Sequence, residues 1–260
     1  MPDDLTVPGT VWATGNDSLT AQLRDRYVGA TRKDAARLSP AIARHIITTY
    51  TRPGDTVLDP DAGAGIVVCE ALRTRRHVIG IHADNQQHEV FEANLELANL
   101  SAPYAPATML DGVDDPRAAG LPGAVDLVLT GLRRSAPGDR LADLARTYEL
   151  LDTIADWVWP GGHIVVVCRP ERDHRGLVDG PGRVTEAAQA VGLRLVDHCI
   201  ALTGKLIGDL AVRPRASRYE TRAAARSRDN GVPFAVNAHV DVLVFGVSAD
   251  CRRPAAPVSP

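Results

Sequence analysis

The chain is nearly devoid of lysine. Of its 29 basic residues only Lys33 and Lys205 are lysines, and the remaining 27 are arginines. Arginine is the better bidentate partner for phosphate and guanine. A GC-rich codon bias, which the many alanines, glycines and prolines also suit, gives the same total. The formal net charge of −3 excludes a uniformly basic nucleic-acid binder, so local clusters carry more information than the sum. Cysteine is scarce too. Cys69, Cys168, Cys199 and Cys251 stand far apart without a Cys-x-x-Cys pair, which argues against a disulfide framework or a metal site and for reduced thiols. No apolar run approaches the roughly 20 residues that span a bilayer. The opening Met1-Pro2-Asp3-Asp4 lacks the basic-then-apolar layout of a secretory leader, so the expectation is a cytoplasmic protein with no membrane contact.

What is present suits one α/β domain. The chain has 260 residues, 45% of them hydrophobic, enough for a sizeable core. Residues 1–34 read as an arm that Trp12 and Tyr27 pin to the body, 35–250 as the domain, and 251–260 as a Pro-rich flexible tail. Ser39 is a good N-cap, Pro40 fits the first helical position, and Ile42, Ile46 and Ile47 then share a face. Strand patterns at 56–58, 77–81, 104–110, 125–130 and 164–168 alternate with helical ones at 66–73, 86–98, 139–157 and 185–191. Pro160-Gly161-Gly162 reads as a turn. Two last strand patterns, 193–203 and 240–247, have no helical crossover between them. The expectation is a Rossmann-like α/β fold: a seven-stranded, mostly parallel sheet with an antiparallel C-terminal edge pair.

The most informative stretch is Val57-Leu58-Asp59-Pro60-Asp61-Ala62-Gly63-Ala64-Gly65. A strand ends on an acid and enters a tight turn whose glycines let the backbone bend and approach a ligand closely. This stretch resembles the VLDPFxGxG cofactor motif of the S-adenosylmethionine-dependent DNA amino-methyltransferases, which act on adenine N6 or cytosine N4. It is also similar to the related RNA guanine-N2 methylases. Residues 38–50, the Pro160-Gly161-Gly162 strand and the segment from Ala238 to Phe245 resemble further family elements in the right order. The resemblance implies the methyltransferase fold and S-adenosylmethionine as cofactor. It implies that Asp59, Gly63 and Gly65 surround the methionine part, that the residue at His82 meets the ribose, and that Asp111 meets the adenine amino group.

The sequence departs from that family at several points. His82 stands where an acid accepts from both ribose hydroxyls, and a neutral imidazole accepts only one bond; Asp84 is near enough in sequence to compensate. Asp61 replaces Phe, and Val240 replaces the Glu that follows His239. The (Asp/Asn/Ser)-Pro-Pro-aromatic catalytic element, whose polar atoms accept from the target amine and whose ring stacks on a flipped base, is Gly131-Leu132-Arg133-Arg134. Gly131 has no side chain to accept with, and Thr130 or Ser135 stands in only with a slip of register. Arg133 and Arg134 suit base stacking or a phosphate, or a solvated loop. Cytosine-C5 chemistry needs a nucleophilic cysteine, usually after proline, and no cysteine here follows one.

A second cluster lies in an Arg-rich insertion at about 209–235. Arg215, Arg218, Arg222 and Arg226 recur at spacings of three and four, which lines one face of a helix and suits a phosphate backbone. Tyr219 and Phe234 are aromatics for stacking on an unpaired base. These readings give a methyltransferase acting on nucleic acid, DNA more than RNA, with a remodelled catalytic loop. Two alternatives stay open: a catalytically silent homologue that binds nucleic acid or an active partner subunit, and a small-molecule methyltransferase. A homodimer is compatible with each.

Overall fold

The structure is a computed structural model and describes residues 9–34, 38–81, 87–101, 107–132, 140–173, 176–208, 211–231 and 233–247. The arm contributes β1 (Val11–Trp12), α1 (Leu19–Leu23) and a 3-10 turn, Gly29–Lys33. The alternating core follows as α2 (Pro40–Tyr50), β2 (Thr56–Asp59), α3 (Ile66–Arg73), β3 (His77–Ile81), α4 (His88–Ser101), β4 (Ala107–Leu110), β5 (Val125–Gly131), α5 (Arg140–Ile154) and β6 (Val158–Cys168). A hairpin of β7 (Glu171–Asp173) and β8 (Gly176–Val178) precedes α6 (Gly180–Ala190) and β9 (Arg194–Leu202). A second hairpin, β10 (Lys205–Ile207) and β11 (Ala211–Arg213), leads into α7 (Arg218–Asp229) and β12 (His239–Gly246). Helix α2 starts as its sequence dictates: Ser39 Oγ accepts from the Ile42 N–H, and Pro40 takes the first turn, where no donor is needed.

Among the described residues the main sheet has eight strands, not seven, in the order β1-β9-β12-β6-β5-β2-β3-β4. All neighbours are parallel except the two pairs made by β12. The additional strand comes from the arm, where Val11 pairs with Ile200 and Trp12 with Ala201. The antiparallel strand is also not at the edge, because β12 slots between β6 and β9. Its side chains explain this. Val240, Val242 and Val244 on one face and Leu243 and Phe245 on the other are all buried, and a strand apolar on both faces belongs inside a covered sheet.

Pro160-Gly161-Gly162 lies within β6 rather than in a turn before it. Val125 pairs with Val158 and Leu127 with His163, so the extra residues form a bulge. Gly161 has φ 110°, and a Cβ on Gly162 would sit 2.8 Å from the Asp126 carbonyl oxygen. Only glycine fits there.

Each face of the sheet carries its own core. On one side α2, α3 and the arm pack Ile46, Ile47, Val68, Leu72 and Trp12 against Val57 and Leu127. On the other, Leu151, Ile154, Val184 and Ala188 from α5 and α6 cover Leu58, Val128 and Ile164. Each fully buried aliphatic side chain of this kind stabilises the fold by about 1.5–3 kcal/mol. The arm is bound to its face by a buried charge. Glu70 of α3 is wholly enclosed and accepts from Arg26 Nη2 at 2.7 and 2.8 Å, Tyr27 Oη at 2.6 Å and Arg73 Nη1 at 3.2 Å. The Arg73 guanidinium also lies over the Tyr27 ring, 4.6 Å from its centroid.

Candidate functional site

The carboxyl ends of β2, β3, β5, β6 and β9 share one edge of the sheet, where open α/β sheets place their ligands. At that edge β2 ends on Asp59, a buried carboxylate whose Oδ1 accepts from the Asp61 N–H at 3.1 Å and so closes the turn. Gly63 (φ 47°) and Gly65 (φ 83°) carry the chain through the left-handed region into α3. Gly65 has a second constraint: a Cβ there would lie 2.9 Å from Phe91 Cδ2. Between them, Ala64 donates its N–H to Asp34 Oδ2 at 3.0 Å and accepts from Asn94 Nδ2 at 2.8 Å.

A cleft opens beside this turn. Three carboxylates line it, Asp34, Asp59 and Asp61, with Ile66 and Val67 as apolar wall and Gly131 from the end of β5. Among the described residues, no three His, Cys, Asp or Glu side chains are placed to hold a metal ion. Three carboxylates facing one cleft suit a cationic ligand.

The expected site residues fall in different places. Asp59, Gly63 and Gly65 form the turn. His82, Arg133, Arg134 and Ser135 lie outside the described residues. Thr130 is buried, and strand alternation puts it on the face of Val128, which packs under α5 and α6, whereas its neighbour Gly131 lines the cleft. Asp111 follows β4 but projects into solvent, its side chain 99% exposed and 3.6 Å from Arg117 Nη2. The Asp111 N–H is bound to Asp115, whose carboxylate also holds Arg117 and stays ionised far below the usual carboxylate range because of those bonds.

The arginine segment divides. Arg215 precedes α7 and donates to the carbonyls of Gly15 at 3.1 Å and Asn16 at 2.9 Å, so it fastens the insertion to the arm. Helix α7 begins after a capping box: Glu220 N donates to Ser217 Oγ at 3.1 Å, and Ser217 N donates to Glu220 Oε2 at 2.7 Å. Those bonds hold the Glu220 carboxyl below its ordinary range. Ala223, Ala224 and Ser227 are half-buried, while Arg218, Arg222 and Arg226 are exposed on an arc of about 80°. None of the three forms an ion pair among the described residues. Near the same edge Arg172 lies over Phe234, 5.4 Å from its centroid, and Asn237 Nδ2 donates to Pro170 O at 2.7 Å. Of Tyr219 only the backbone, within α7, is described.

Sequence reasoning did not find Asp34 or Asn94. Neither belongs to a recognisable motif, and their partners are 30 residues away along the chain. Glu70 did leave a signal, a lone charge inside the apolar run Ile66-Val67-Val68-Cys69-Glu70-Ala71-Leu72.

A family model of DNA methylases matches residues 3–93, the segment that supplies the arm, the glycine turn and β3. No curated protein matches the chain by sequence. Among solved structures, TrmN from Thermus thermophilus is similar over 87% of this chain and 53% of its own, at 18% identity and a TM-score of 0.54. The chain thus spans about half the length of that protein. A geranyl diphosphate methyltransferase, solved with GPP and sinefungin, is similar over 90% of this chain and 96% of its own, at 14% identity and a TM-score of 0.52. At such identities the likeness establishes the Rossmann-like methyltransferase fold. No described helix is long and apolar enough to cross a membrane.

Proposed function

We propose that the protein is an S-adenosylmethionine-dependent methyltransferase whose acceptor is nucleic acid, DNA in preference to RNA. The observation that carries this reading is the convergence of Asp34, Asp59 and Asp61 on a cleft beside the glycine turn. The methyl donor presents two positive centres, an ammonium and a sulfonium, on a flexible stem. Carboxylates beside a closely approachable backbone fit that chemistry. When bound, the cofactor supplies a methyl group activated by its positive sulfur. Asp59, fixed by the Asp61 N–H, and Asp34, fixed by the Ala64 N–H, orient the cationic part. Ile66 and Val67 keep water from one wall.

On the acceptor side, Gly131 leaves room where the family resemblance expects a side-chain acceptor. Accepting from the target amine then falls to Ser135 or to backbone carbonyls at the end of β5, because Thr130 belongs to the other face of the strand. The DNA methylase match of residues 3–93 supports a nucleic-acid acceptor. So do the exposed Arg218, Arg222 and Arg226 of α7, which lies in the connection from the carboxyl end of β9 to the start of β12. The missing side chain at Gly131 favours a second reading, a silent homologue that retains binding.

The test is transfer of labelled methyl from S-adenosylmethionine to duplex DNA, single-stranded DNA and RNA. The proposal expects label in DNA, lowered at least tenfold when Arg218, Arg222 and Arg226 are all changed to glutamine. Nucleic-acid binding without transfer would select the silent reading. Transfer only to small molecules would overturn the nucleic-acid assignment.

A further inference from the structure

We infer that Asn94 and Asp34 are positioning residues that join docking of the N-terminal arm and cofactor binding into one coupled equilibrium; this rests on the methyltransferase reading above. Ala64 sits between two left-handed glycines, and side chains satisfy both its backbone polar groups. Asp34, at the end of the arm, takes its N–H at 3.0 Å, and Asn94, on α4, takes its C=O at 2.8 Å.

Asn94 is fully buried, and its amide links the arm to the turn. Its Oδ1 accepts from the Val28 N–H at 2.9 Å, while Nδ2 donates to Thr31 Oγ1 at 2.7 Å as well as to Ala64 O. Both Nδ2 hydrogens and the Oδ1 acceptor are thereby engaged in one enclosed network. Residues 28–34 therefore run from this hub to the wall of the cleft, where Asp34 is a lining carboxylate.

Lifting the arm would deprive Asn94 of two partners and Ala64 of one, and would remove a cleft carboxylate. A buried amide left unpaired is costly, so the turn keeps its binding geometry only while the arm is docked. A ligand that binds the docked form must then favour docking, and by the same factor that docking favours the ligand. A purely structural role for this network predicts something different: weaker variants would melt earlier but bind equally well when folded.

Thr31 separates the two cases because it is fully buried and does not line the cleft. The experiment compares wild type, Thr31→Val and Thr31→Ser by calorimetric titration with S-adenosylmethionine below their melting temperatures. Amide hydrogen exchange of the ligand-free proteins is followed in parallel. Thr31→Val keeps the shape but loses the acceptor, which lowers the docking constant about tenfold for one well-formed hydrogen bond and raises the apparent Kd by the resulting fall in the docked fraction. Thr31→Ser restores the affinity. Exchange rises together in residues 28–34 and 62–65 of Thr31→Val. In wild type, saturating ligand slows proteolysis within residues 9–34 by the factor that arm release weakens binding. A Kd that fails to follow the docked fraction reported by exchange of residues 28–34 in Thr31→Val, or faster exchange in 28–34 with 62–65 unaffected, overturns the inference and leaves the methyltransferase reading standing. If wild type does not bind S-adenosylmethionine, that reading falls, and the exchange pattern still decides whether arm and turn are coupled.

Discussion

Glu70 and Arg26 meet across the boundary between α3 and the arm, one guanidinium nitrogen lying 2.7 and 2.8 Å from the two carboxylate oxygens. The carboxylate is wholly enclosed while the Arg26 side chain is 35% exposed. An enclosed carboxylate is tolerable only with several donors around it. Tyr27 and Arg73 supply the rest, and burial together with Glu70 pushes the Tyr27 phenol up, so it stays a donor. Replacing Glu70 with alanine leaves the Tyr27 hydroxyl without its acceptor and Arg26 and Arg73 without their counter-charge. The expected loss of unfolding free energy is about 3–5 kcal/mol, read by urea denaturation. Arg26→Ala is expected to cost less, because Glu70 keeps two donors. Equal costs would show that the partially exposed arginine dominates the network.

Gly65→Ala tests the glycine turn without touching a charged group. Two costs apply, the left-handed backbone at φ 83° and the 2.9 Å approach of the new Cβ to Phe91. Together they are expected to cost about 2–3 kcal/mol. Adding Phe91→Leu relieves the clash but not the backbone strain, so in a double-mutant cycle the pair should recover only part of the loss. Full recovery would mean that the backbone conformation costs nothing.

Burial sets the titration behaviour of the cores. The Cys69 and Cys168 thiols are pushed up to about 12 by desolvation. Neither should react with iodoacetamide at pH 8 in the folded protein, and both should react after unfolding. His45 and His163 are shifted the other way, desolvation lowering them below the ordinary histidine value of 6.5. The unfolded chain therefore takes up these protons first as pH falls. Stability is fully present above about pH 6.5 and declines below it, until the folded-state values are passed. The melting temperature at pH 5.5 should be lower than at pH 7.5, and the difference should shrink in His163→Gln.

The three exposed arginines of α7 repel one another at i,i+4 spacing, a small cost that a bound polyanion would reverse. Binding of a fluorescent oligonucleotide should weaken steeply with salt. Changing Arg218, Arg222 and Arg226 to glutamine should reduce the log–log slope by about 0.9 for each duplex phosphate that is no longer neutralised. Arg215→Gln should instead lower stability more than the slope, since that side chain is bound to Gly15 and Asn16. An unaltered slope in the triple variant would remove α7 from the interface.

Much of this architecture is legible in the sequence because local pattern and tertiary role agree. The capped start of α2, the glycine turn and the crossover helices are specified by neighbouring residues. What escapes depends on pairing at a distance. Strand β1 is only two residues long and has no alternation to betray it; it exists because β9 offers an edge. The Pro160-Gly161-Gly162 segment has turn composition, yet its glycines serve a bulge pressed against Asp126. Helical spacing groups Arg215 with the α7 arginines, but the Ser217 cap starts the helix beyond it. Asp34 and Asn94 carry no motif, and only the folded chain brings them to Ala64.

The most direct test of the central claim is calorimetric titration of the wild-type protein and Gly63→Arg with S-adenosylmethionine. The account predicts micromolar binding to wild type, about −8 kcal/mol. It predicts none to the variant, whose side chain blocks the left-handed turn at φ 47° beside the acidic cleft. No heat with wild type, together with an unchanged melting temperature at millimolar ligand, would contradict it.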